Sequence, residues 1–205
     1  MLSEAEQARR VQILIEHYDG ISSPFEAFYI HSIIYAADRA DSAFRRFDDA
    51  LPTGNAELVV SSVHEALTHA AGISRFFWPM RETKLARARG EKLRKAFAVE
   101  DSSPLRHRKL RNALEHFDED LDAFLLDDPV GYFFPGALVA SHQLADEEIG
   151  NIFKLVDPEN NICILLGEKY EFGHIRQEVR RVLDVARIMD ASGARLTLPT
   201  SKSKT

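Results

Sequence analysis

Apolar side chains recur every three or four residues through the first two thirds of the chain, and this is the spacing of one buried helix face. Turn-forming residues divide the pattern into separate segments. The segments predict helices over residues 4–18, 24–50, 55–78, 81–97 and 104–126. Because short breaks join them, we expect the helices to pack as a four- to five-helix bundle.

Two of these helices begin at a serine followed by proline, at Ser23-Pro24 and at Ser103-Pro104. Serine caps the free N–H groups of a helix, and proline fits its first turn. Phe28, Tyr35 and Phe44 count among the apolar members of the helix that follows Pro24.

The most regular stripe lies in the helix that follows Pro104. Its apolar members alternate at four and three residues, and they are Leu110, Leu114, Phe117, Leu121 and Phe124/Leu125. This spacing predicts one continuous helix to about Leu126 with that seam buried.

The pattern changes after Asp127-Asp128-Pro129. Two short β-branched runs, 152–156 and 162–166, flank the turn-forming sequence Asp157–Asn161, which predicts a β-hairpin with a third strand near Tyr170–Phe172. Helical spacing returns over 174–190.

The predicted fold is therefore mostly α, a helical bundle with a small C-terminal β-hairpin and a final helix. We expect the bundle to occupy residues 1–128 and the hairpin and last helix, packed on it, to occupy 129–190. The polar residues 191–205 are expected to form a flexible tail.

Composition places the chain among ordinary globular proteins, since 45% of its 205 residues are hydrophobic and 28% are charged. Its single cysteine, Cys163, excludes an internal disulfide and thiolate zinc clusters. The first residues lack the pattern of a signal peptide, and no apolar run has the length of a membrane span. We expect a cytoplasmic protein that does not enter a membrane.

Charge is distributed unevenly, although the net charge is only −6. Residues 81–111 contain eleven Lys or Arg against four acids, and residues 112–128 contain seven acids and no Lys or Arg. One interpretation is a pair of solvated helix faces that attract each other. The other is a phosphate-binding surface that ends at Arg111, and its candidate phosphate ligands are Arg106, Arg108 and Lys109.

The histidines do not form a recognisable metal site. His64-Glu65 begins a sequence close to the HExxH zinc motif, but His69 comes one residue too late, about 140° away around a helix. Glycine-rich phosphate loops and the serine-hydrolase motif are also missing from the sequence. We therefore expect neither metal nor cofactor.

The sequence Arg111-Asn112-Ala113-Leu114-Glu115-His116 stands where the basic stretch meets the acidic one. It resembles the R-x4–6-H motif of the HEPN superfamily (higher eukaryotes and prokaryotes nucleotide-binding domains), in which a polar residue often follows the arginine. The resemblance covers about residues 24–126.

Many members of that family are helical bundles that act as metal-independent endoribonucleases in toxin or defence systems, with a site assembled across a dimer. The resemblance implies that Arg111, Asn112 and His116 are catalytic, and that the partners are RNA, a second copy of the chain and a cognate antitoxin. The sequence is compatible with an enzyme and also with a non-catalytic helical dimer that acts as an interaction or RNA-binding module.

Helical geometry bears on how such a site would form. On one straight helix Arg111, Asn112 and His116 all point away from the apolar seam, and Arg111 and His116 are about 140° apart. They would converge only if two copies met across a two-fold axis. The alternative is that Arg111 and His116 are simply solvated.

These residue types suit RNA cleavage by the 2′-hydroxyl. The reaction needs a group that accepts and donates protons near neutral pH, which histidine does. It also needs a stabiliser for the charged phosphate, and arginine binds phosphate in a bidentate way. Asn112 would orient either group or the phosphate.

Overall fold

The computed structural model describes residues 2–127, 131–146 and 150–197, and over these residues the protein is mostly helical with a small four-stranded sheet. The helices are α1 (Glu4–Tyr18), α2 (Glu26–Ala50), α3 (Ala56–Phe77), α4 (Lys84–Phe97), α5 (Arg108–Glu115), α6 (Phe117–Asp127) and α7 (Gly173–Ala191). The strands are β1 (Tyr132–Val139), β2 (Gly150–Asp157), β3 (Ile162–Leu165) and β4 (Glu168–Glu171).

The chain forms two compact units. The first unit comprises residues 1–38, 72–106 and 180–205, and the second comprises 39–71 and 107–179. Helices α2, α3 and α7 contribute residues to both units.

Aromatic and aliphatic side chains of α2, α3, α4 and α7 are buried in the first unit. The rings of Phe77 and Phe97 meet edge to face with their centres 5.5 Å apart. The guanidinium of Arg94 donates to the backbone oxygen of Phe77 at 2.6 Å. A Cβ atom added to Gly90 would lie 2.7 Å from the same oxygen, so only glycine permits this approach of α4 to the end of α3.

The second unit contains the sheet, in the order β1-β2-β3-β4. Strand β1 runs parallel to β2, and the other neighbours are antiparallel. Ile152, Leu155 and Ile164 form a buried cluster on the sheet. Beside the sheet, the ring of Phe172 packs on Phe44 and Phe47 of α2, with ring centres 6.0 and 5.6 Å apart.

The predicted hairpin and third strand are confirmed as β2, β3 and β4. Strand β1 was not predicted, because Pro135 and Gly136 interrupt its sequence. In the structure these two residues lie where the pairing of β1 with β2 shifts register between Phe134 and Ala137. An edge strand tolerates proline and glycine at such an irregularity.

The predicted helices over 4–18, 24–50, 55–78, 81–97 and 174–190 are confirmed as α1 to α4 and α7. Two apolar members of α2 nevertheless do not enter the core. Phe28 is 70% exposed and Tyr35 is 62% exposed, whereas Phe44 is fully buried. A helix longer than the core beside it leaves some of its apolar residues on the outer face.

The polar tail predicted from residue 191 is packed at its beginning. Leu196 is buried, and its N–H donates to the carboxylate of Glu26 at 3.0 Å. Residues 198–205 lie outside the described residues, as do residues 128–130 at the predicted domain boundary.

Two glycines in helix interiors provide a matched test of the α3–α4 contact. Gly90→Ala is expected to lower the free energy of unfolding by about 2 kcal/mol or more, because its methyl group overlaps the Phe77 oxygen. Nothing lies within 4 Å of a Cβ at Gly72, so Gly72→Ala should raise stability by about 0.5–1 kcal/mol. Urea unfolding of both variants checks this, and equal effects of the two changes would disprove the close approach.

Asp157 fixes the turn between β2 and β3. Its buried carboxylate accepts from the backbone N–H of His142 at 2.9 Å, from the His142 ring at 2.8 Å and from the backbone and side chain of Asn160, each at 3.0 Å. Burial by itself would raise the pKa of Asp157, but these hydrogen bonds outweigh it and hold the pKa well below its usual range.

This network predicts a dependence of stability on acid. Because the pKa of Asp157 is lower in the folded chain than the value of about 3.9 in an unfolded chain, its contribution is complete above about pH 4 and is lost as the pH falls further. Urea unfolding between pH 3 and 7 should show wild type losing more stability on acidification than Asp157→Asn. Parallel curves for the two proteins would contradict the network.

Candidate functional site

Helix α5, which carries the R-x4-H motif, is attached to β4 at its beginning. His107 caps the helix, since its Nδ1 accepts from the backbone N–H of Leu110 at 3.1 Å. The His107 ring meets the ring of Tyr170 edge to face, with centres 5.9 Å apart. Two residues further along, Lys109 Nζ lies 2.6 Å from the Glu168 carboxylate. These contacts fix the orientation of α5.

Helix α6 is attached to the sheet separately, through β2. The ring of Phe117 meets that of Phe153 edge to face at 5.5 Å. The ammonium of Lys154 lies 5.2 Å from the centre of the Phe117 ring and 4.7 Å from that of Phe153. A cation held over two rings adds to the packing energy of the pair.

The prediction of one continuous helix over 104–126 is wrong. A short 3₁₀ turn, Pro104–Arg106, precedes α5, and the helix bends at His116, whose φ of −114° and ψ of 34° are not helical. The hydrogen bonds continue through the bend: His116 N–H donates to Asn112 O at 2.8 Å, and His116 O accepts from Asp120 N–H at 3.0 Å. The motif histidine therefore stands at a kink.

Two causes explain this kink. Helix α5 is attached to β4 and α6 to β2, so a different strand holds each helix. The residues after Phe117 also suit a new helix start, because Asp118, Glu119 and Asp120 form an acidic first turn. Carboxylates there interact favourably with the positive end of the helix dipole.

The predicted apolar seam is buried only in part. Leu110 is buried, Leu114, Phe117, Leu121 and Phe124 are half-buried, and Leu125 is exposed. For the residues after His116 the bend explains the loss, since they no longer continue the line of those before it.

Arg111 does not point outward as the helical geometry predicted. Arg111 is only 8% exposed, whereas Asn112 and His116 are exposed. On the helix Arg111 lies next to the edge of the apolar seam, and a long side chain at that position covers apolar surface with its methylene groups. The structure thus separates a buried arginine from two accessible polar groups within one chain.

The imidazole of His116 is accessible, with 52% of the side chain exposed. The carboxylate of Glu119 lies 3.7 Å from its Nδ1. An exposed imidazole is open to a bound molecule, and its two ring nitrogens can donate and accept hydrogen bonds. Asn112, one turn earlier, offers an amide that hydrogen bonds to a bound group.

A groove of about 620 Å³ runs beside α5 and α6, with residues of β3 and β4 on its other side. Lys109 and Asn112 line it together with Asp120 and Glu168, so its charged lining is acidic overall. Tyr170 also borders it, and burial raises the pKa of Tyr170 to about 12. His116 is not among the lining residues.

The predicted phosphate ligands are partly neutralised. Arg106 belongs to the first unit, where it pairs with Asp101 at 3.1 Å. Lys109 belongs to the second unit and pairs with Glu168. The side chain of Arg108 lies outside the described part of the structure.

The histidine pair of the incomplete zinc motif lies in the second unit. Burial, assisted by the charge of Lys154, lowers the pKa of His64 to about 4. Over the described ranges, no group of three or more His, Cys, Asp or Glu side chains is arranged to hold a metal ion. Over the same ranges, no helix has the length and apolar character needed to cross a membrane.

No protein-family model, no curated protein and no solved structure matches this chain. The resemblance to the HEPN superfamily therefore rests on Arg111, Asn112 and His116 and on the helical character of the chain around them.

The neighbours Arg111 and Asn112 should differ in their effect on stability. Arg111→Ala is expected to lower the free energy of unfolding by about 1–3 kcal/mol, because a buried side chain loses its packing and its polar contacts. Asn112→Ala, at an exposed position, should stay within about 0.5 kcal/mol of wild type. Urea unfolding measures both, and an unaffected Arg111→Ala would show that the arginine is solvated.

Proposed function

We propose that this chain is a HEPN-like, RNA-directed protein that acts as a homodimeric, metal-independent endoribonuclease of toxin or defence type. The observation that carries the proposal is the exposed imidazole of His116 at the helix kink, one turn after Asn112 and in the order of the family motif. The HEPN-like bundle, the cytoplasmic location and a cognate antitoxin belong to the same proposal.

The proposed chemistry assigns proton transfer to His116. Its imidazole takes the proton of the RNA 2′-hydroxyl, and a protonated imidazole supplies the proton to the leaving 5′-oxygen. The 2′-oxygen forms a bond to phosphorus as the bond to the 5′-oxygen breaks. Asn112 holds a phosphate oxygen through its amide.

The burial of Arg111 restricts its role within one chain. A guanidinium beneath the surface contributes a fixed positive charge, but it does not grip a phosphate as an exposed arginine would. The acidic first turn of α6 next to His116 also repels a phosphate. A phosphate site at His116 therefore requires further positive charge, and in this proposal the second copy of the chain supplies it.

A non-catalytic interaction module is the second candidate. It is favoured by the burial of Arg111 and by large apolar side chains that stay on the surface, among them Phe28 and Leu126, which are 70% and 81% exposed. Exposed apolar residues of this size often mark a surface for another protein.

Cleavage of a structured RNA mixture tests the proposal. Wild type should cleave RNA in EDTA, and His116→Ala should lower the rate by about 10²–10⁴-fold. His174→Ala is the matched control, because His174 is also exposed and also pairs with a glutamate three residues away, Glu171. This control should cleave like wild type.

Sedimentation of the same samples checks the assembly. We expect a species of twice the 23.2 kDa chain mass at micromolar concentration. Absence of cleavage by wild type, or a monomer that is fully active, would overturn the composite site. Equal loss of activity in His116→Ala and His174→Ala would remove the motif from the mechanism.

A further inference from the structure

The first unit carries an aromatic groove of about 460 Å³ that the proposed chemistry does not use. Its lining comes from α1, the segment between α1 and α2, the start of α2, and single residues of α3 and α4, and it includes Phe25, Phe28, Tyr29 and Phe76. The rings of Phe25 and Phe28 lie 6.2 Å apart and are 55% and 70% exposed. Two phenyl rings left in water in this way indicate a binding surface.

A second groove of about 440 Å³ adjoins the first at Leu85, which lines both. Three arginines line it, Arg75, Arg81 and Arg89. The guanidinium of Arg89 lies 6.0 Å from the centre of the Tyr29 ring, and Tyr29 lines the aromatic groove. Ring faces and cations are therefore adjacent along one surface of the first unit.

Arg89 is half-buried and has no carboxylate partner among the described residues. Its Nε atom is fully enclosed and makes no hydrogen bond with them. A half-buried cation is costly unless an anion balances it. The start of α4, where Thr83 caps the helix and also lines this groove, adds the positive end of a helix dipole.

Other cations nearby divide into two sets. Arg87 is balanced by Glu82 at 2.8 Å and Lys92 by Glu26 at 2.9 Å. Arg81 and Lys84 are exposed and, like Arg89, form no ion pair with a described residue. Unpaired positive charge is thus concentrated in and beside the second groove.

We propose that these two grooves together bind single-stranded RNA, with bases against Phe25 and Phe28 and phosphates at Arg81 and Arg89. Exposed aromatic rings beside unpaired cations form the usual arrangement for binding single strands, because every base has a face that stacks. The inference rests on the proposed function, since it supplies that RNA-directed protein with a binding surface outside the His116 region.

An acidic amphipathic peptide is the competing ligand. The aromatic groove is lined by four rings, Phe25, Phe28, Tyr29 and Phe76, whereas every charged lining residue belongs to the adjoining groove. A strand with flat bases on one side and phosphates on the other fits that separation better.

Binding of a fluorescein-labelled ten-nucleotide oligouridylate, followed by anisotropy, tests this directly. The full chain carries His116→Ala, which stops cleavage during the measurement. Phe28→Ala should weaken binding about fivefold to a hundredfold, the loss typical of one stacked base. Phe28→Tyr keeps a ring and should bind like the parent. Tyr35→Ala, an exposed ring on α2 outside the groove, is the control.

The salt dependence of oligonucleotide binding tests the role of the arginines in the second groove. Arg81→Ala should lower the slope of log affinity against log salt by about 0.7, the value for one phosphate contact with a single strand. Arg87→Ala removes the same charge from a residue already balanced by Glu82, and it should leave the slope nearly unchanged. Equal slopes for the two variants would overturn the phosphate assignment.

Several results would reject the proposal as a whole. No binding of the oligonucleotide at 50 mM salt would do so, and so would binding that Phe28→Ala leaves unchanged. Phe28-dependent binding of an acidic Glu/Leu helical peptide, without RNA binding, would assign the groove to a protein partner. If wild type cleaves no RNA but the oligonucleotide binds with the expected Phe28 dependence, the endoribonuclease proposal fails and the groove stands.

Discussion

The Lys92–Glu26 ion pair is the interaction on which the first unit depends most. Lys92 Nζ lies 2.9 Å from the Glu26 carboxylate and donates to the backbone oxygens of Ile21 at 2.8 Å and Tyr18 at 3.2 Å. Glu26 also accepts the backbone N–H of Leu196. One largely buried pair thus joins the end of α1, the start of α2, the middle of α4 and the segment after α7. Removing either partner would leave an uncompensated charge, which typically costs about 3–5 kcal/mol.

The same pair shapes the surface of the first unit. By holding the backbone at Ile21, Lys92 fixes the loop that forms one wall of the aromatic groove. Gly20 makes this possible, since a Cβ there would lie 2.5 Å from the backbone nitrogen of Arg89, and its φ of +87° suits glycine. The backbone of this loop therefore lies against the backbone of α4 at Arg89. The guanidinium of Arg89 lies beside the Tyr29 ring in the same region.

Local sequence signals explain most of the helices and the hairpin. Apolar spacing predicts α1 to α4 and α7, and the turn-forming sequence Asp157–Asn161 separates β2 from β3. Such signals act within a few residues, which is why the sequence predicts them. Strand β1 depends on its pairing with β2, and no local pattern reveals a strand that contains Pro135 and Gly136.

At the candidate site, helical spacing does not predict correctly which side chains are buried. Helical geometry assumes one straight axis, but the attachments of His107 to Tyr170 and of Phe117 to Phe153 bend the chain at His116. The sequence therefore predicts which residues belong to the motif, and it does not predict that Arg111 is buried while His116 is exposed. That outcome depends on contacts with residues more than thirty positions away.

The number of cations in the basic stretch also differs from the number that remains unpaired in the structure. The net +7 of residues 81–111 counts every cation equally, but Arg87, Lys92, Arg106 and Lys109 each lie against a carboxylate. An ion already paired within the protein contributes less to the field that a polyanion meets, because its partner cancels it at a distance. Within the described residues of the first unit, five cations of the basic stretch form no ion pair and supply most of its field: Arg81, Lys84, Arg89, Arg94 and Lys95. Of these cations, Arg81 and Arg89 line the groove that adjoins the exposed aromatic surface, so phosphate attraction there depends on which cations are unpaired and less on the length of the basic sequence.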